Sequence, residues 1–255
     1  MNAASAWPHA LAFAGLYVAA GLPLKAWGVR RGRGGRPGFF FWLAPFYATD
    51  TWRQVVPVDR PGLRLLGRRS AVVFPLTAAA YGAYWYMLQD AALGGFGRAL
   101  LAAGPFYLAT EAAGLALQWI FCLGGAVLPA VQRQPLGAVS LADFWGRRWN
   151  RWVHGWLHQF FFRPFRRVRG AALLPFLVSG LWHEALFSLP FYLLKGEAFL
   201  GGMTAYFLLQ AGGVWGEKRL LRGAPAAVRR VWLWLFVLAP APLILNPALL
   251  RAFFL

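Results

Sequence analysis

Six apolar runs divide the chain: Trp7–Trp27, Ser70–Leu88, Leu100–Leu128, Ala171–Leu194, Phe199–Trp215 and Val231–Leu250. Each is close to the roughly 20 residues that a helix needs to cross about 30 Å of hydrocarbon. The pattern predicts an all-α, polytopic transmembrane protein of about six to eight spans, with re-entrant or interfacial helices around an intramembrane cavity. It reads as one integral membrane domain over residues 1–255. Leu100–Leu128 is long enough to tilt or break, Phe199–Trp215 is short, and Pro240, Pro242 and Pro247 interrupt the last run. Phe39–Ala48 is apolar but too short to span, and Pro45 breaks it. Residues 39–56 are therefore predicted to be an interfacial or re-entrant piece. No internal repeat of solenoid or inverted-transporter type is visible.

Composition agrees with a membrane protein. Hydrophobic residues make up 59% and charged residues 13% of the chain, against about one quarter charged in soluble domains. The net charge of +18 comes from 26 basic and 8 acidic residues. A soluble protein so basic would suggest a nucleic-acid partner, but the placement of the charge argues otherwise. With Lys25 counted at the inner end of the first run, all basic residues except Arg98, Lys195 and Arg251 lie on the side of the segments after the first, third and fifth runs. This asymmetry follows the positive-inside rule, with the basic loops cytoplasmic and both termini outside. The first run has no basic residue before its apolar core, so it reads as an anchor rather than a cleavable leader. The wealth of Arg, Ala and Gly suggests a bacterial plasma membrane. The single cysteine, Cys122, excludes a disulfide framework and a thiolate metal site.

An ionisable side chain inside a hydrocarbon-length run is a functional candidate by default. The fourth run carries His183 and Glu184. At 1.5 Å per residue, His183 lies roughly 18 Å into the run, near mid-membrane. Ser179 stands four residues earlier on the same helix face, within reach of the imidazole. Glu184 points about 100° away from His183, so a direct pair is not implied. Glu111 lies near the middle of the third run, either as a cap or ion-pair partner or as a functional group.

A second cluster precedes the fourth run: D-F-W-G-R-R-W-N-R-W-V-H-G-W-L-H, Asp143 to His158. Trp145, Trp149, Trp152 and Trp156 recur at spacings of four, three and four, which predicts one helix face lying among headgroups. Arg147, Arg151, His154 and His158 fall opposite, and Asn150 sits at the edge. His154 and His158 have the i, i+4 spacing of a metal pair, but the chain has only 4 histidines. The expectation is that no metal is bound.

Two strings carry more: S-L-A-D-F-W-G-R-R-W-N, Ser140 to Asn150, and F-L-V-S-G-L-W-H-E, Phe176 to Glu184. Together, in this order and spacing, they resemble the signature of the membrane-bound O-acyltransferase (MBOAT) superfamily, most closely its wax-synthase-like branch. In that family an Asn in a D-F-W-x-x-W-N motif precedes an intramembrane His in an S-G-x-x-H-E motif. The close match covers Ser140 to Glu184. Family members are usually longer, so the chain looks like a minimal core with a reduced N-terminal part.

The resemblance implies transfer of a fatty acyl group from acyl-CoA, as a co-substrate, to a long-chain alcohol, with no permanently bound cofactor. His183 would be the general base. Asn150 would either donate to the developing oxyanion or orient the thioester carbonyl. Ser179, Trp149, Trp182 and Glu184 would support them. Arg147, Arg148 and Arg151 are candidate contacts for CoA phosphates, or equally for anionic lipid. Other acceptors, such as a sterol, a diacylglycerol or a small hydroxyl compound, stay open. So do a transporter using Glu111 and His183, and a non-catalytic membrane scaffold.

Overall fold

The computed structural model describes residues 55–88 and 94–254, a short N-terminal helix and a few positions before it. The architecture is all-α apart from one two-stranded ladder. Helix α1 covers Leu22–Arg31. Strand β1, Val56–Pro57, pairs antiparallel with β2, Ala126–Val127.

Helix α2, Arg60–Met87, starts where the Asp59 carboxylate accepts from the Gly62 amide at 2.8 Å. A short acidic side chain before the first turn satisfies one of the amides that lack an intrahelical partner. Helix α3, Gly95–Leu123, runs back along α2. Polar groups pin this pair in register. Arg69 is bridged to Glu111, and Trp119 Nε1 donates to Ser70 Oγ at 2.9 Å. Glu111 is thus the partner of a cation from the neighbouring helix, the first of the two readings its sequence position allowed.

The remaining helices form a short-segment half. The turn α4, Leu141–Asp143, opens into a π-helical turn over Phe144–Arg148. Helix α5 follows at Arg151–Leu157. Helix α6, Leu173–His183, continues through a π turn at Glu184–Ser188 into α7, Leu189–Lys195. Then come α8 at Gly202–Leu220, α9 at Ala226–Leu238, α10 at Ala241–Ile244 and α11 at Pro247–Phe254. One core joins the two halves: Tyr84 of α2, Ala99 and Ala102 of α3, Met203 of α8, Ala241 of α10, and Leu245 and Leu249.

Three helices among the described residues are long and apolar enough to cross a membrane: Gly95–Leu123, Leu173–Lys195 and Ala226–Ile244. This corrects the expectation of about six to eight spans. Helix α2 has 28 residues, but Arg60, Arg64, Arg68 and Arg69 occupy its first part. The rest leans on Ala, Gly and Tyr, which are weakly apolar. Helix α8 carries Glu217, Lys218 and Arg219 near one end and a fully buried Gln210 in its middle. Part of their polar content serves contacts inside the protein: Arg69 and Ser70 of α2 bond α3, and Gln210 of α8 is buried. Parts of Trp7–Trp27 (7–10, 13, 17, 20 and 21), and residues 39–54 of the expected re-entrant piece, lie outside the described residues. The chain is a multi-pass membrane protein with at least three spans.

Helix α8 fixes the segment that carries the first motif. Glu217, 5% exposed, accepts from the Leu141 amide at 3.2 Å and the Ala142 amide at 3.0 Å. Ser140 Oγ accepts from the Asp143 amide at 3.0 Å. Together the two side chains satisfy three amides of the opening turn. Glu217→Ala is expected to leave two amides without acceptors and lower stability by about 1–3 kcal/mol. Glu217→Gln keeps one acceptor oxygen and should lose less. Thermal unfolding in detergent checks the order.

Candidate active site

Helix α6 is an apolar stretch that delivers His183 at its last turn. The His183 Nδ1 and the Ser179 carbonyl oxygen are 2.7 Å apart. A carbonyl only accepts, so Nδ1 carries a proton, and in the neutral ring Nε2 keeps its lone pair. The backbone of Ser179, rather than its hydroxyl, therefore sets the tautomer. Phe207 of α8 covers the imidazole at 4.8 Å between ring centroids, and Phe187 lies at 6.1 Å. Directly after His183 the helix widens, and the Leu189 amide bonds the Glu184 carbonyl five residues back. Pro190 has no N–H to give the Leu186 carbonyl. The π turn absorbs that break without ending the helix.

The other residues of the S-G-L-W-H-E string dock α6 on α8. A Cβ on Gly180 would lie 2.6 Å from Thr204 Cα, so only glycine allows the two backbones this close. The Glu184 carboxylate accepts from the Thr204 amide at 3.1 Å. Thr204 is in the first turn of α8, whose Gly201 cap offers no side chain. Glu184 thus caps α8 from another helix, where the helix dipole favours a negative charge. Its role is to hold α8, and Phe207 with it, against His183.

The W-N pair ends one helical segment and begins the next. Trp149 is extended, and Asn150 has φ 37° and ψ 62°, the left-handed region. Asparagine tolerates that region better than most residues. Asn150 Oδ1 accepts from the Val153 amide at 3.3 Å and so caps α5. Its backbone amide donates to Gln132 Oε1 at 2.8 Å.

This break corrects the single interfacial Trp helix expected over Asp143–His158. Trp152 and Trp156 are buried, at 5% and 2% exposure, rather than spread among headgroups. Trp152 Nε1 donates to the Pro129 carbonyl at 2.9 Å. Trp156 packs on Trp182, the neighbour of His183, at 5.6 Å. Trp149 stacks on Phe144 at 5.5 Å. Trp145 contacts Phe176 of α6 at 6.1 Å and Phe207 at 5.7 Å, and its Nε1 donates to Gln210 at 3.2 Å. The Trp-rich segment therefore folds into the protein against the helix of His183. Among the described residues Asn150 and His183 form no hydrogen bond with each other. They are joined through the aromatic layer of Trp149, Trp145 and Phe207.

The three candidate arginines separate. Arg148 is committed inward, with Nε on Asp143 at 2.6 Å and Nη1 on the Gln134 carbonyl at 3.1 Å. Arg147 is exposed, with a long contact of 3.8 Å to Asp143. Arg147 and Arg151 line an open cleft of about 260 Å³ with Arg133, His154, Trp152 and Pro129. Arg133, unmarked in the sequence reading, replaces Arg148 on this wall. His154 is held below the ordinary imidazole range by burial first, then by His158 and Arg151. The two imidazoles stack at 6.0 Å.

Several site residues escaped the sequence reading. Gly180 lay inside a quoted string, one turn before His183, without being singled out. Glu217 sits two residues past the fifth run, beyond the reach of the rule for ionisable residues in apolar runs, although the helix continues to Leu220. Gln132, Gln210 and Thr204 are ordinary polar residues with no local signal.

Residues 128–208 match the profile of the Membrane bound O-acyl transferase family. Over 143 residues the chain is 36% identical to a long-chain-alcohol O-fatty-acyltransferase of Simmondsia chinensis, covering 48% of this chain and 40% of that protein. It is 36% identical over 124 residues to a probable long-chain-alcohol O-fatty-acyltransferase 3 of Arabidopsis thaliana, covering 44% and 34%. A diacylglycerol O-acyltransferase 1 of Dictyostelium discoideum is 31% identical over 107 residues, covering 40% and 16%. The chain spans less than half the length of these relatives. The matched profile includes Asn150, His183, Glu184, Thr204 and Phe207.

The docking geometry sets a test. Gly180→Ala should push α6 and α8 apart and cost about 1–3 kcal/mol. Glu184→Ala should cost about 1–2 kcal/mol through loss of the cap, and Glu184→Gln less. Thermal unfolding of the three variants in one detergent measures the ranking. A Gly180→Ala protein as stable as wild type would contradict the close approach.

Proposed function

We propose that this chain, which belongs to the membrane-bound O-acyltransferase superfamily and its wax-synthase-like branch, transfers a fatty acyl group from acyl-CoA to a lipophilic alcohol. The observation that carries the reading is the anchored imidazole. Nδ1–H of His183 is held by the Ser179 carbonyl, which leaves Nε2 as a free acceptor inside an apolar span. An alcohol is too weak an acid to ionise near neutral pH, so its attack needs such a base.

In this reading the alcohol proton passes to His183 Nε2 as the oxygen attacks the thioester carbonyl carbon. The carbonyl oxygen takes the negative charge. Asn150 is suited to meet it, because the helix cap occupies Oδ1 and leaves the Nδ2 hydrogens to donate. Collapse of the tetrahedral intermediate re-forms the carbonyl, breaks the C–S bond and releases CoA, whose sulfur recovers the proton from the imidazolium. Trp149 and Trp182 belong to the aromatic wall around the acyl chain. The anionic head of acyl-CoA is assigned to the cleft of Arg133, Arg147 and Arg151. Its face, with the other basic loops, is the cytoplasmic one. The whole chain acts as one integral membrane domain.

The preferred acceptor is a long-chain alcohol, by likeness to the Simmondsia and Arabidopsis proteins. A diacylglycerol is the second reading, favoured by the likeness to the Dictyostelium protein.

The test is ester formation by purified protein in nanodiscs, with labelled palmitoyl-CoA and hexadecanol, a sterol or diacylglycerol in parallel. His183→Ala is expected to lower turnover roughly 100- to 10,000-fold. Asn150→Ala should lower it about 100- to 1,000-fold with acyl-CoA binding retained. A folded protein that neither binds acyl-CoA nor makes ester would overturn the reading in favour of a transporter or scaffold.

A further inference from the structure

The conformation of Asn150 needs a support that the two motifs do not contain. Residues 131–133 run antiparallel to residues 148–151. The Arg133 amide donates to the Arg148 carbonyl at 2.9 Å, and the Arg151 amide to the Val131 carbonyl at 2.8 Å. Between these two bonds, Trp149 and Asn150 stand opposite the single residue Gln132. That two-against-one count is the geometry of a β-bulge, a device that re-aims a side chain. Asn150 is the left-handed residue of the pair, one of two non-glycine residues with positive φ among those described.

The kink takes the Asn150 amide out of the ladder, where it has no carbonyl opposite. Gln132 Oε1 receives it at 2.8 Å. The other end of the Gln132 amide is committed too: Nε2 donates to Thr110 Oγ1 at 3.3 Å. Thr110 Oγ1 in turn donates to the Tyr107 carbonyl at 2.8 Å, and the Tyr107 ring lies 6.1 Å from Trp149. Gln132 is 4% exposed. One buried side chain therefore ties the backbone of Asn150 to the membrane-spanning helix α3, and the same helix turn packs on Trp149.

We propose that Gln132 is a positioning residue that sets the Asn150 amide against the reacting carbonyl. The inference rests on the reading of Asn150 as the carbonyl or oxyanion donor. Gln132 touches neither substrate nor His183. It acts by fixing the left-handed backbone from which the Asn150 side chain projects. Helix α3 thereby becomes part of the active site, although its residues carry no chemistry.

The experiment compares wild type with Gln132→Met, Gln132→Glu, Asn150→Ala and the Gln132→Met/Asn150→Ala double variant, with palmitoyl-CoA and hexadecanol in nanodiscs. Methionine keeps the length of the side chain and removes Oε1. Gln132→Met is expected to lower kcat about 100-fold, the scale of an ångström-sized misplacement, with KM for palmitoyl-CoA within about twofold of wild type. Gln132→Glu retains the acceptor and should recover to within about 10-fold of wild type. The double variant should be no slower than Asn150→Ala alone, because the two residues act as one unit. If the two losses multiply, or if Gln132→Met turns over like wild type, the inference is overturned. If Asn150→Ala itself turns over like wild type, the reading of Asn150 fails instead. Should Gln132→Met not fold, Thr110→Val releases Nε2 while leaving Oε1 in place. It is then expected to lower kcat with KM unchanged, and wild-type kcat would overturn the inference.

Discussion

Two buried carboxylates hold this protein's candidate site together, one near each end of α8. Glu184 of α6 accepts from the Thr204 amide at the start of that helix. Glu217, near its other end, accepts from the amides of Leu141 and Ala142 at the start of the D-F-W-G-R-R-W-N segment. The segment bearing Asn150 and the helix bearing His183 are thus both referenced to one rod. Hydrogen bonds from backbone amides to a charged acceptor are stronger than neutral ones. Away from water they are costly to leave unmade. Gly180 completes the junction by letting α6 approach Thr204 at backbone distance. Between the two carboxylates, Phe207 and Gln210 of α8 touch His183 and Trp145.

The second constraint is helical irregularity placed next to chemistry. Each motif is interrupted where its key residue sits. A π turn follows His183, and a left-handed asparagine separates α4 and its π turn from α5. The first has a local cause in Pro190, and the second follows from a tertiary pairing, the bulge opposite Gln132. Their effect is to present a side chain at the end of a helix rather than along its flank. Backbone irregularity at this depth is tolerated only where protein or a cavity surrounds it. Here the aromatic rings of Trp145, Trp149, Trp152 and Trp156 supply much of that surrounding.

The basic residues divide into two kinds that charge counting cannot separate. Arg148 and Arg69 are structural, each paired with a carboxylate inside the fold. Arg147 faces outward beside Arg133 and Arg151 on an open cleft. Three arginines that adjoin or nearly adjoin in sequence therefore have different work. The cleft is assembled from two segments: Pro129, Ala130 and Arg133 form one wall, and residues between 146 and 155 form the rest.

Much of this molecule was legible in its sequence. Hydrocarbon-length apolar runs with few charges announce helices, because unpaired backbone groups in lipid leave no other choice. His183 in such a run, with Ser179 one turn before it, announced a buried imidazole and the source of its hydrogen bond. Both features are local, a matter of period and of one helix turn. The number of spans was not legible, because an apolar run reports burial from water without distinguishing lipid from protein. Helix α8 spends Gln210 and Glu217 on contacts inside the protein, and α2 spends Arg69 and Ser70 on α3. The end of the Trp helix at Asn150, the cap that Glu184 lends to α8, and the grip of Gln132 on Asn150 were decided by tertiary structure alone. The last two join residues 20 and 18 positions apart, a pairing that no helical period encodes. Only the packed chain brings those partners to hydrogen-bond distance.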